Sequence, residues 1–194
     1  MLIASKSRSA IDKLKKDLSF EFKMKDIGEV KKVLGMEIER DRRSGKVSLT
    51  QKGYLQKVLQ KFNIYGDTKS VSISLAPHFK LKCTIFHTTA EECEYMALVL
   101  HARAVVSFMH TMVCTRPDLS QAVSMISRYM HDSGRGHWET VKWVLRYIKG
   151  TIDVGLVFEK DSTCKQECIE YIDSDYAGDL DKRWSTTGYV FTLS

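Results

Sequence analysis

The chain has 194 residues, of which 43% are apolar, 28% charged and only 2 proline. That composition excludes collagenous, coiled-coil and mainly disordered classes and fits one ordinary domain or parts of two. The net charge of +6 is uneven: residues 1–63 hold 16 Lys and Arg against 8 Asp and Glu, net +8, while residues 64–194 hold 14 against 16, net −2. A basic N-terminal part calls for an anionic partner. Cys83, Cys93, Cys114, Cys164 and Cys168 are odd in number and form no C-x-x-C pair, so neither a disulfide framework nor a zinc site is indicated, and they read as reduced thiols. Met1-Leu2-Ile3-Ala4 turns polar at Ser5, too early for a secretory signal, and Asp12 and Asp17 argue against a mitochondrial presequence. The expected location is intracellular, cytoplasmic or nuclear.

In chain order, Ser9 is placed to cap a helix with Ile11, Leu14 and Leu18 on one face and Lys13, Lys15 and Lys16 elsewhere. Phe20 to Met24 alternates like a strand, as does the segment Val33 to Arg40. Asp41-Arg42-Arg43-Ser44-Gly45 then turns the chain back into Val47-Ser48-Leu49, giving a hairpin with a cationic tip. Tyr54, Leu55, Val58, Leu59 and Phe62 form a helical stripe, with Lys57 and Lys61 on another face. No periodicity persists from Ile64 to Phe86, a loop or linker. Thr89-Ala90-Glu91-Glu92 has capping-box spacing and opens a long helix through the apolar stretch Tyr95 to Cys114. That stretch has the length of a membrane span, but His101, Arg103 and His110 interrupt it, and a central Arg costs roughly 2.5–3.5 kcal/mol on insertion scales; a buried helix is expected, with no membrane partner.

Thr115-Arg116-Pro117-Asp118 repeats the capping spacing, with Pro in the first turn, ahead of a helix showing Leu119, Ala122, Val123, Ile126, Tyr129 and Met130 on one face. After the turn Asp132 to Gly136, a further helix presents Trp138, Val141, Val144, Leu145 and Ile148 inward and Lys142, Arg146 and Lys149 outward, with Gly150 as its C-cap. Val154 to Phe158, Cys168 to Ile172 and Gly188 to Leu193 read as strands.

Two constellations carry possible chemistry. Asp173, Asp175, Asp179 and Asp181 crowd nine residues directly after a strand, the density of hard oxygen ligands that a divalent cation requires. An EF-hand loop is excluded, because Ala177 and Trp184 stand where ligands belong, and an Asx-rich hairpin turn is the plainer reading. The second constellation is cationic: Lys13, Lys15, Lys16, Lys31, Lys32, Arg40, Arg42, Arg43, Lys46, Lys52, Lys57 and Lys61 could neutralise phosphates, although interleaved Glu29, Glu37, Glu39 and Asp41 also fit an ordinary solvated face. Tyr54 and Phe62 are expected in the core rather than stacked on bases. The six histidines have no metal spacing, and His131 and His137 suit surface or helix-end roles. No nucleophile elbow or P-loop occurs, so acyl transfer and nucleotide hydrolysis find no support.

Six ordered strings go further: Met24-Lys25-Asp26-Ile27-Gly28-Glu29, Val33-Leu34-Gly35-Met36-Glu37-Ile38, Leu49-Thr50-Gln51-Lys52-Gly53-Tyr54, Thr115-Arg116-Pro117-Asp118, Leu145 to Thr151, and Asp173 to Asp179 with Ser185-Thr186-Thr187-Gly188-Tyr189. In this order and spacing the chain resembles the Pol polyprotein of copia-type LTR retrotransposons, especially its plant, tobacco-type branch. The resemblance implies an α+β fragment. It would run from just after the reverse-transcriptase Tyr-x-Asp-Asp turn, whose following Met-Leu-Ile matches Met1-Leu2-Ile3, to the start of ribonuclease H. Residues 1–50 would be the palm edge with a primer-grip-like hairpin, 51–150 a thumb-like helical region with a loop at 64–88, 151–168 a connection, and 169–194 the first hairpin of a ribonuclease H-like domain.

The resemblance makes Asp173 the first metal-binding aspartate, with Asp175 beside it in a set whose later ligands would lie beyond Ser194. Mg2+ is the family's cofactor, and no tight binding is expected here. The partner implied is an RNA or DNA primer–template, held weakly by Lys52, Lys57, Lys61, Lys142 and Arg146, with no small-molecule substrate. The expectation is a catalytically inactive fragment; the alternatives are a non-enzymatic basic nucleic-acid-binding module or a mis-delimited piece of a longer active polyprotein. Within the matched region His101, Val106 and His110 replace the small and aromatic residues usual in the family, Trp184 replaces an Arg, and Ile73-Ser74 replaces a Thr-Pro.

Overall fold

In the computed structural model, residues 2–64, 66–79, 81, 90–131, 133–160 and 168–193 are described, and they combine helices with antiparallel sheet, the α+β class expected. Helix α1 spans Arg8–Glu21 and is capped by Ser7, whose hydroxyl accepts from the Ala10 N–H, rather than by Ser9. Its apolar stripe stays at the surface, with Leu14 42% exposed. The strand expected at Phe20 to Met24 does not form. The i to i−4 ladder runs on to Phe22 N–H···O=C Leu18 (2.9 Å), no strand among the described residues pairs with this segment to reward an extended backbone, and Phe20 and Phe22 remain exposed.

Strands β1 (Lys32–Val33), β2 (Met36–Asp41) and β3 (Lys46–Thr50) form a meander, and β2 and β3 pair from Glu37↔Thr50 to Asp41↔Lys46. The hairpin turn is the expected one. Asp41 accepts from the Arg43 N–H (2.9 Å) and the Ser44 hydroxyl (2.7 Å), and Gly45 supplies a φ of +70°. A fourth strand, β4 (Leu156–Glu159), joins the free edge of β3 with Leu156 opposite Leu49. Where β4 begins, a Cβ on Gly155 would lie 2.2 Å from the Leu49 carbonyl oxygen, so only glycine permits this approach.

The core is helical. Helix α2 (Lys52–Lys61) buries Leu55, Val58 and Leu59, as its stripe predicts. The single helix expected through Tyr95 to Cys114 is two, α3 (Ala90–Leu98) and α4 (His101–Cys114), joined at a corner where Leu100 leaves helical geometry (ψ 45°). The stretch is mostly apolar throughout and contains no glycine or proline, so its pattern does not show the corner. The cap expected at Thr89 lies outside the described residues. Helix α4 buries Ala104, Val105 and Phe108. No described helix is long and apolar enough to cross a membrane.

Pro117–Leu119 forms a 3-10 turn, and helix α5 (Ser120–Ser127) starts only after it. Thr115 caps neither, since its hydroxyl donates to Gln51 Oε1 (2.8 Å) instead. Helix α5 with Leu119 and Tyr129 presents the expected face to the core, and α6 (Arg135–Gly150) buries Val141, Val144, Leu145 and Ile148 completely. Truncating Leu145 or Ile148 to Ala would cost about 2–5 kcal/mol. Helix α6 ends at Thr151 (φ −126°), so the left-handed glycine cap expected at Gly150 is not used. His137 fills the helix-end role expected of it: Nδ1 accepts from the Gly134 N–H (2.9 Å), and the buried ring stacks on Tyr129. Strands β5 (Cys168–Ser174) and β6 (Thr187–Leu193) form a separate two-stranded sheet.

Candidate nucleic-acid interface and carboxylate turn

Many cations of the basic half are already engaged. Arg42 pairs with Glu29, Lys15 with Asp26 (2.9 Å), Lys32 with Glu37 (3.3 Å) and Lys46 with Glu159 (3.2 Å). Lys52 Nζ lies 2.6 Å from Asp153, and that hydrogen bond, with the attraction behind it, raises the ammonium above its ordinary range. Lys57 and Lys61 differ: both are exposed on α2 and make no ion pair or hydrogen bond with a described residue. Lys142 pairs with Glu139 (2.8 Å) and lies over the Trp138 ring. The Phe62–Trp138 ring contact, 6.2 Å between centroids, brings the end of α2 beside the start of α6.

Arg146 and Lys149 are not simply solvent-facing, as the outward face of α6 had implied. Arg146 Nε donates to the Lys69 carbonyl (2.6 Å), and Lys149 Nζ donates to the Gly66 (2.6 Å) and Thr68 (2.7 Å) carbonyls. A loop with no ladder of its own must satisfy its carbonyls elsewhere, and these side chains do so. Trp143 Nε1 adds a bond to the Ile73 carbonyl (3.0 Å), and its ring meets His78 and Phe79 at 5.5 Å.

The four carboxylates of the turn after β5 are separated by their partners. Asp173 is exposed on β5 opposite Gly188. Asp175 accepts from the Thr186 N–H (2.6 Å). Asp179 is buried; the Lys182 and Asp181 N–H groups and the Arg128 guanidinium (3.2 Å) hold its carboxyl below the usual range. Asp181 accepts from the Tyr129 hydroxyl (2.8 Å). The turn is thus Asx-rich and anchored to the end of α5, and among the described residues no three His, Cys, Asp or Glu side chains converge on a point that could hold a metal ion. The donor set present does not fit a two-metal centre. An open depression of about 420 Å³ beside the turn is lined by Tyr176, Ala177, Arg183 and Ser185, with none of the four aspartates.

The most organised polar cluster was not singled out as a site by its sequence. Arg116 is fully buried and forks onto Asp118 through Nε (3.0 Å) and Nη2 (2.7 Å). The same guanidinium donates to the Thr151 carbonyl (2.9 Å) and hydroxyl (2.7 Å) where α6 ends. The Tyr147 hydroxyl closes the cluster on Asp118 (2.8 Å). Burial pushes the Asp118 carboxyl up, but the hydrogen bonds from Arg116 and Tyr147 and the charge of Arg116 outweigh it and leave the group below its usual range. The available signal was the Arg-x-Asp spacing within Thr115-Arg116-Pro117-Asp118. The buried His101, whose two ring nitrogens have no hydrogen-bond partner among the described residues, gave no such signal.

A family profile described as reverse transcriptase (RNA-dependent DNA polymerase) matches residues 1–77. Over all 194 residues the chain is 46% identical to the retrovirus-related Pol polyprotein from transposon TNT 1-94 of Nicotiana tabacum, of which it spans 14%. It is 34% identical over 176 residues, 91% of its length, to the retrovirus-related Pol polyprotein from transposon RE2 of Arabidopsis thaliana, spanning 11% of that protein. An uncharacterized mitochondrial protein of Arabidopsis thaliana, AtMg00810, is 33% identical over 193 residues, all of this chain to the nearest per cent and 75% of the relative. No solved structure matches.

Proposed function

We propose a function from one premise: the chain belongs to the copia-type Pol family of plant retrotransposons. On that premise residues 1–50 are a palm edge with a primer-grip-like hairpin, 51–150 a thumb-like helical region, 151–168 a connection, and 169–194 the opening hairpin of a ribonuclease H-like domain. The 194-residue chain binds a primer–template duplex electrostatically and, by itself, neither extends primers nor cleaves RNA. The observation that carries this reading is the 46% identity to a transposon Pol polyprotein along the whole chain.

The chemistry of the residues supports it. Phosphate neutralisation requires cations free to exchange their counterions. Lys57 and Lys61 meet that requirement directly, and Lys52, Lys142 and Arg146 join them if a phosphate replaces their present partners. The chain contains no Tyr-x-Asp-Asp string. Asp173 and Asp175 alone cannot clamp two metal ions. The test is a paired assay on the purified chain: retention of a labelled primer–template duplex at low salt, and primer extension with Mg2+ and deoxynucleotides. Binding without extension is expected. Extension would overturn the inactive reading, and absence of retention at low salt would overturn the binding reading.

A further inference from the structure

Between α2 and α3, residues 76–79 make a tight turn that holds His78 out to solvent. The Phe79 N–H donates to the Ala76 carbonyl (3.0 Å), and Pro77, one of only 2 prolines in the chain, takes the second position, where its fixed φ suits the turn. Ala76 is buried and His78, at the tip, is exposed. The His78 ring is nevertheless held in place. Its centroid lies 4.3 Å from that of Phe79 and 5.5 Å from that of Trp143, and the Trp143 indole is fixed in turn by its bond to the Ile73 carbonyl (3.0 Å). Phe79 and Trp143, both half-buried, anchor the loop on α6, whereas the exposed His78 ring removes little apolar area from water.

Cations surround these rings. The Arg146 guanidinium lies over the Trp143 ring, 5.3 Å from its centroid, and among the described residues only its Nε is engaged, on the Lys69 carbonyl. Lys142, which Glu139 shares, stands one turn earlier on α6, and from Gly66 to Lys82 the sequence carries Lys69, Lys80 and Lys82 against Asp67 alone. A rigid exposed ring among cations is what an unpaired strand requires: a surface for one base to stack on and charge for its phosphates. The paired bases inside a duplex have both faces covered and cannot use such a ring, whereas the bases of a single strand can be splayed onto it. We propose that His78, Phe79, Trp143 and Arg146 form a stacking site for a base of single-stranded nucleic acid, such as the unpaired overhang of a primer–template. The base rests on the His78 ring, whose position Phe79 and Trp143 fix, and the Nη groups of Arg146 take a phosphate of the same strand. Both groups touch one indole, so a single strand reaches both. The site rests on the nucleic-acid function proposed for Lys142 and Arg146 and adds to it a preference for unpaired bases.

The test is fluorescence anisotropy on the full chain at low salt with three labelled probes of equal length: an oligodeoxythymidylate, the same strand made abasic throughout, and a blunt-ended duplex. His78→Ala is expected to weaken binding of the oligodeoxythymidylate by at least about fivefold, the lower end for loss of one stacked base, and to leave the abasic strand and the blunt duplex unchanged. His78→Phe keeps a ring and is expected to bind all three probes as the wild type does. An oligodeoxythymidylate indifferent to His78→Ala, an equal loss on the abasic strand, or a His78→Phe variant as weak as His78→Ala would each overturn the stacking site, and blunt-duplex binding would still uphold the function it rests on. Failure of all three probes to bind the wild type would overturn both.

Discussion

Replacing Arg116 with Met tests how the turn before α5 is tied to the end of α6. The guanidinium makes four hydrogen bonds of 2.7–3.0 Å, two to Asp118 and two to Thr151, while itself fully buried. Met keeps most of the apolar stem and removes all four. The Asp118 side chain is 34% exposed and recovers water, so its share of the loss is small. The Thr151 carbonyl and hydroxyl at the end of α6 lose their charged donor, and at about 1.5 kcal/mol for each of these two bonds the loss is about 3 kcal/mol. That is the low end of the roughly 3–5 kcal/mol seen when one partner of a buried pair is removed. Arg116→Lys keeps the charge but not the fork, and should fall between wild type and Met. Urea denaturation followed by far-UV circular dichroism reads both variants as a lower midpoint at unchanged slope. A change within about 0.5 kcal/mol for Arg116→Met, the usual size for a surface substitution, would refute the reasoning.

Two further outcomes are expected. Gly155→Ala forces a Cβ to within 2.2 Å of the Leu49 carbonyl, so β4 must move off β3 at a cost of about 1–3 kcal/mol; unchanged amide protection in β4 by hydrogen exchange would contradict this. His101 takes up a proton near pH 6.5 in the unfolded chain but only at about 4 when folded, because burial, and then repulsion from His137, disfavour the imidazolium. The unfolded state therefore binds more protons between those values: this contribution is intact above about pH 6.5 and falls by on the order of 2–3 kcal/mol as the pH drops to 4. His101→Phe should remove that part of the pH dependence, and identical profiles for variant and wild type would sink the assignment.

Legibility in the sequence followed the range of the interaction. The β2–β3 hairpin was readable because its register is set by a four-residue turn, and α2, α5 and α6 were readable because one stripe each faces a single core. The strand expected at Phe20 to Met24 failed because alternation describes one chain, while a strand also needs a neighbouring edge. The corner between α3 and α4 was invisible because the stretch Tyr95 to Cys114 is mostly apolar throughout and contains no glycine or proline to mark a break. Thr115-Arg116-Pro117-Asp118 looked like a local cap, yet its donors serve Gln51 and Thr151, partners 64 and 35 residues away. The pairing of β4 with β3 is equally non-local, and only Gly155 hints at it. Within the candidate interface the cations were legible as charges, but not the carbonyls that Arg146 and Lys149 satisfy.

The central claim, a nucleic-acid surface carried by five named cations, is tested most directly by the salt dependence of duplex binding. Fluorescence anisotropy of a labelled primer–template, titrated with the full chain at several salt concentrations, should give log Kobs falling linearly with log salt. Between three and five phosphates neutralised corresponds to a slope of about −2.7 to −4.5. Joint Lys57→Gln and Lys61→Gln substitution should make that slope shallower by about 1.8, since these are the two cations with no described partner to give up. A slope near zero, or one unchanged by removing Lys57 and Lys61, would contradict the account.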